Sequence, residues 1–232
     1  MKKIIALTIA FCLAISMVSI GAWAFLTSAE LTNNEIYAGT IELTADVSGT
    51  GPAGKYTLTP AGGGFAGSAA FDYLFPGDAG SITWVLVNCG TMPGTLTLAS
   101  LLTLTDVSQN EAELAVPGND TTGAGDLGYC LGVKLQAGIG ADQSSAEGAF
   151  TYLLGSASNY AALENLDTTL NNYTVAMAPE DTVVIKLTWQ LPLDIKKAGP
   201  DGLLGTADDI DVNENIVQGD NAEIDITFTL SQ

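Results

Sequence analysis

Six oxygen-bearing side chains crowd into one stretch of the chain: Asp201, Asp208, Asp209, Asp211, Asn213 and Glu214. Calcium takes about six to eight oxygens, mostly from carboxylates and carbonyls, on a loop able to wrap it. Gly202 and Gly205 permit the sharp turns that such wrapping needs. The Asp209, Asp211, Asn213 spacing imitates the first three ligands of an EF-hand, but Glu214 stands where that loop has its turn glycine. Two readings follow: a Ca2+ loop formed by these six residues, or a solvated acidic surface.

The other reactive groups are few. The chain has three cysteines, no histidine and no arginine. Without histidine there is no Ser-His-Asp triad, no Cys-His pair and no H-E-x-x-H zinc site. Without arginine there is no guanidinium clamp on phosphate, and no glycine-rich loop opens a helix to make a nucleotide site. Carboxylate pairs would permit glycosidase-like acid/base work by residue type. In a chain with 26 acidic residues, however, such pairs arise by chance. The residues therefore point away from an enzyme. A net charge of −19 also repels nucleic acid and anionic lipid, so neither is an expected partner.

The N-terminus sets the expected compartment. Lys2 and Lys3 precede an apolar run from Ile4 to Leu26, and Ala22-Trp23-Ala24 places small residues before a cut between Ala24 and Phe25. This is the layout of a secretory signal peptide, residues 1–24, expected to be helical. The rival is a retained signal-anchor, because about 20 apolar residues can span a bilayer. Cleavage would remove Cys12 and leave Cys89 and Cys130. In a secreted, extracellular chain two cysteines suggest a disulfide, against the alternative of two buried free thiols.

The elements that must position these groups read as strands. Ile41–Thr44, Tyr56–Leu58, Thr95–Leu98, Ile185–Trp189 and Ile224–Leu230 alternate apolar and polar residues at period two. Ile82–Val87 and Tyr129–Val133 are apolar strand-like runs near the two cysteines. Turn-rich stretches separate the strands, among them Pro60-Ala61-Gly62-Gly63-Gly64 and Pro76-Gly77-Asp78. The expected fold is all-β, a sandwich or jelly roll, in a single domain over 38–232. One short helix is expected over Ser158–Leu170, with Ser158 or Asn159 as its N-cap.

Three separated stretches, in order, carry a resemblance. The first is Trp23-Ala24-Phe25 with Asn34-Glu35-Ile36-Tyr37-Ala38-Gly39-Thr40-Ile41-Glu42-Leu43. The second is Phe75-Pro76-Gly77-Asp78, leading through Trp84-Val85-Leu86-Val87 to Asn88-Cys89-Gly90-Thr91-Met92-Pro93-Gly94. The third runs from Leu187-Thr188-Trp189-Gln190-Leu191-Pro192 through Asn215-Ile216-Val217-Gln218-Gly219-Asp220 to Ile226-Thr227-Phe228. Together they resemble the TasA/camelysin family of biofilm-matrix fibre proteins and the related archaeal bundling-pilus subunits.

The resemblance implies a jelly-roll subunit that polymerises with itself, the N-terminal segment of one copy completing the sheet of the next. Here that segment is 25–37, with Phe25, Leu26, Ala29, Leu31 and Ile36 as anchors. An unpaired strand edge templates another chain's strand, so the expectation has a physical basis. The alternative is that 25–37 pairs within its own subunit or stays disordered. Camelysin's description as a metallopeptidase is not carried over, for want of histidine. The expected function is a fibre or pilus subunit of a biofilm matrix, with other matrix or cell-surface components as further partners. The rival is a non-polymeric, calcium-dependent adhesion module on the cell surface.

Overall fold

The computed structural model describes residues 40–51, 55–61, 64–106, 115, 116, 119 and 123–232. The signal peptide, the Ala24–Phe25 cut and the 25–37 segment lie outside the described residues.

Strands come first along the chain: β1 (Leu43–Thr50), β2 (Lys55–Ala61), β3 (Gly64–Phe71), β4 (Ala79–Asn88) and β5 (Gly94–Asp106). A single helical turn, α1 (Leu127–Cys130), leads into β6 (Gly132–Gly140), followed by α2 (Gln143–Gly148), β7 (Thr151–Leu154) and β8 (Tyr160–Ala162). A 3-10 turn then enters α3 (Leu166–Asn171). The remainder is β9 (Thr174–Met177), β10 (Thr182–Gln190), the two-residue strands β11 (Lys196–Lys197), β12 (Leu203–Leu204) and β13 (Ile210–Asp211), and the long β14 (Asp220–Ser231).

These form an all-β sandwich. One sheet has the order β1-β4-β10-β6-β8-β12, with β7 also on β6, and the other β2-β3-β14-β5-β9. Every described ladder is antiparallel. The alternation in β14 dictates its role: Ile224, Ile226, Phe228 and Leu230 are buried, while Glu223, Asp225 and Thr227 face solvent. Aromatic pairs join the layers. Phe71 of β3 meets Trp189 of β10 edge-on at 5.7 Å, and Trp84 of β4 meets Phe228 of β14 at 6.1 Å. On the outer face α2 covers β6 and β10, which is why Val184 is buried beside its register partner Gly138.

Three local expectations are corrected. The helix expected over Ser158–Leu170 begins as β8, which pairs with Gly132 and Val133, and turns helical only after Ala162. Ladder pairing available only in the folded sheet overrides the local helical preference there. Tyr129 and Cys130, read as strand, lie in α1. The Asp220 carboxylate holds that turn, its Oδ2 accepting from the backbone N–H of Asp126 at 2.6 Å and of Leu127 at 2.8 Å. Nor is there a single short helix: α1, α2 and α3 are all present among the described residues.

Candidate functional site

The sandwich has two poles, separated by the length of β4, roughly 30 Å at about 3.3 Å per residue. The chain enters at one of them. Thr91 N–H donates to the Thr40 carbonyl at 2.8 Å and Cys89 N–H to the Glu42 carbonyl at 2.8 Å. Asn88, fully buried, organises this entry pole: its Nδ2 donates to the carbonyls of Met92, Met177 and Ala178, and its Oδ1 accepts from Gly90 N–H. Thr40, the first described residue, therefore lies beside the end of β4.

At the opposite pole the β3–β4 connection folds into a tight turn. Asp78 N–H donates to the Phe75 carbonyl, Phe75 N–H donates to Asp78 Oδ2, and Gly77 N–H donates to the Leu191 carbonyl. Tyr73 adopts a left-handed φ of 55°, uncommon for a bulky side chain. The result is a cluster of exposed apolar groups: Tyr73 at 85 %, Phe75 at 71 % and Leu193 at 79 %. Tyr73, Phe75 and Pro76 line a cleft of about 560 Å³ whose other wall includes Val217, Gln218 and Asp220. Exposed apolar groups grouped beside a cleft are the signature of a docking surface.

The strand edges complete the picture. Among the described residues β1 is outermost in its sheet and pairs only with β4. β5 pairs with β14 from Thr95 to Asp106, but on its other side, among the described residues, β9 covers only Gly94–Thr97. Beyond that, the Asn171 side chain imitates a strand at one position, its Oδ1 accepting from Ser100 N–H and its Nδ2 donating to the Ser100 carbonyl. Further along, Leu102 and Leu104 point at the core yet are only half-buried. Among the described residues no strand flanks this part of β5.

The same pole contains a buried charge cluster. Asp126, fully buried, pairs with Lys197 at 2.5 Å, and Lys197 also lies over the Tyr129 ring. Burial pushes the Lys197 ammonium down, but the hydrogen bond to Asp126 and its charge outweigh this, and the pKa is raised. Asp220 stands directly opposite Asp106 in the β14–β5 ladder. Burial, with a further contribution from the Asp106 charge and despite the two N–H donors, raises Asp220 to about 6.

Three of the six acidic-loop residues, Asp201, Asp208 and Asp209, bond within the loop itself. Asp201 Oδ1 accepts from Leu203 N–H, Asp209 Oδ2 accepts from Gly205 and Thr206 N–H, and Asp208 Oδ1 accepts from the Thr206 hydroxyl. Asp211 pairs with Lys196 at 2.9 Å. Asn213 caps the short 3-10 turn Glu214–Val217, and Glu214 lines the cleft. These bonds staple the loop, and among the described residues no three acidic or cysteine side chains converge as a metal site.

The disulfide is corrected outright. Cys89 follows β4 at the entry pole and Cys130 precedes β6 at the cleft pole, and both are free. The intervening β10 spans from Thr182, beside Val87, to Gln190, beside Gly132. That is roughly 25 Å at about 3.3 Å per residue, far beyond the ~7 Å Cα reach of a disulfide. Reasoning from the sequence missed the Asp106–Asp220 pair and the exposed Tyr73 and Phe75. The Phe75-Pro76-Gly77-Asp78 turn signal was the only available clue to the latter. Compared with family models and with curated proteins, the chain matches none.

Proposed function

We propose that this protein is a secreted structural subunit that polymerises by donor-strand complementation into extracellular fibres or pili of a biofilm matrix. The observation that carries the reading is the unfinished edge of β5, where Leu102 and Leu104 sit half-buried and no described strand flanks them. A strand laid there would supply ladder hydrogen bonds and cover both leucines. The donor is residues 25–37 of a second copy, with Phe25, Leu26, Ala29, Leu31 and Ile36 available as anchors.

Placement favours extension over closure. Thr40 lies at the pole opposite the Leu102–Leu104 edge of β5, which ends where Asp106 N–H donates to the Gly123 carbonyl, and opposite the apolar cleft. A donor segment and an acceptor edge that are different surfaces of the subunit make a heterologous, head-to-tail contact, which propagates as a filament unless the rotation closes a ring. The test is deletion of 25–34 with electron microscopy of the purified protein. The variant is expected to remain a folded monomer, or a dimer at most. A 25–37 peptide added to it is expected to slow amide exchange at Leu102 and Leu104. Fibres of normal width from the deletion variant would overturn the reading, and protection confined to another strand would overturn the choice of edge.

A further inference from the structure

Asp106 and Asp220 are direct cross-strand partners at the ends of β5 and β14. Like charges so placed repel, because opposed Cβ atoms lie only about 5 Å apart. The pair is also deprived of solvent. Asp220 is 5 % exposed, and its Oδ1 together with both carboxylate oxygens of Asp106 is buried without a hydrogen-bond partner. Asp220 Oδ2 already serves Asp126 and Leu127 N–H, so the carboxylate is fixed with its other oxygen left over. Gly125, at a φ of 71°, lets that oxygen approach the backbone: a β-carbon there would fall 2.0 Å from Oδ1.

Three orphaned carboxylate oxygens on one cross-strand pair call for a counter-charge. One shared proton would satisfy two of them and leave the third. The local charges also fail to cancel: the Asp106 and Asp126 charges both act on Asp220, and the Lys197 ammonium is engaged by Asp126. A hard divalent cation would supply the two missing positive charges and take oxygens from both carboxylates.

We propose that Asp106 and Asp220 form a calcium-binding site that ties the end of β5 to the start of β14. This site is separate from the acidic loop over Asp201–Glu214 and does not depend on the assembly reading. Bound calcium would clamp the ladder where the open β5 edge ends, with the remaining coordination positions filled by water or backbone carbonyls.

The test is calorimetric melting and equilibrium dialysis of the full chain at neutral pH, in high monovalent salt to screen the acidic surface. Millimolar calcium should raise the melting temperature by roughly 5 °C or more, with one screened-resistant ion bound per chain. Asp106→Asn should weaken that ion at least tenfold and abolish the shift, while melting above wild type in the absence of calcium because the repulsion is gone. Asp220→Asn, which keeps an acceptor for Asp126 and Leu127 N–H, provides a second variant with the same expectation. Asp208→Asn with Asp209→Asn should leave the shift intact. No salt-resistant ion in the wild type, or a shift that survives both Asp106→Asn and Asp220→Asn, would overturn the proposal.

Discussion

Gly90 stands so close to Thr40 that a β-carbon built on it would lie 2.2 Å from the Thr40 carbonyl oxygen. The neighbour is backbone, and so is the next atom met, Glu42 N at 2.8 Å, so no side chain can swing aside. Gly90→Ala should therefore push the start of β1 off the end of β4 and weaken the bonds at Thr40 and Glu42. The expected loss is about 2 kcal/mol, larger than the ~0.4–1 kcal/mol that alanine returns through the unfolded state. Denaturant unfolding measures the loss, and faster amide exchange over 40–44 would localise it.

Asn88 makes a second prediction at the same pole. Asn88→Ala removes the partner of three carbonyls and of Gly90 N–H in a fully buried place. The expected destabilisation is about 3 kcal/mol. Asn88→Asp should fare no better in the same unfolding experiment, because a carboxylate cannot donate to the Met92, Met177 and Ala178 carbonyls.

The cysteines should differ in reactivity. Cys89 is exposed, its Sγ 3.1 Å from the Thr44 hydroxyl. Burial, reinforced by the Asp126 charge, pushes the Cys130 thiol up to about 12. A thiol reagent at neutral pH should label one cysteine outside residues 1–39 in the native protein and two after unfolding without reductant. Two bridged sulfurs in the unreduced, unfolded chain would refute this.

Lys197→Met should be strongly destabilising. It takes the cation from Asp126, a carboxylate with no solvent exposure. Breaking a buried pair from one side costs about 3–5 kcal/mol. Asp126→Asn in the Lys197→Met background should recover a large part of the loss, because the uncompensated charge is then gone. A double-mutant cycle in denaturant reads both values.

The helix cap at Asp142 gives a pH dependence. Its side chain accepts from Ser145 N–H at 2.7 Å, and this bond lowers its pKa from 3.8. A carboxylate with a depressed folded pKa contributes stability that is present above the unfolded value and lost as pH falls through the folded one. Asp142→Ala should therefore lower the melting temperature at neutral pH, and the difference from wild type should close as the pH falls below about 4. A difference that stayed constant into strong acid would mean the carboxylate charge is irrelevant to the cap.

What the sequence determined by itself was the all-β class and several of its strands, β2, β4, β5, β10 and β14 among them. Ile185–Trp189 and Ile224–Leu230 alternate at period two because each has one face on the core, and that requirement is written into adjacent residues. The Phe75-Pro76-Gly77-Asp78 turn was legible for the same reason, its chemistry lying within four neighbours. Tertiary structure alone decided the rest. Tyr160–Ala162 is a strand because Gly132 and Val133 offer it a ladder, and Leu127–Cys130 is a helical turn because Asp220 accepts its first N–H groups. Asp106 meets Asp220, and Cys89 is kept from Cys130, through the register of strands far apart in the chain. Register is set by which hydrophobic faces bury together, a property of the whole sandwich that no local spacing of residues encodes.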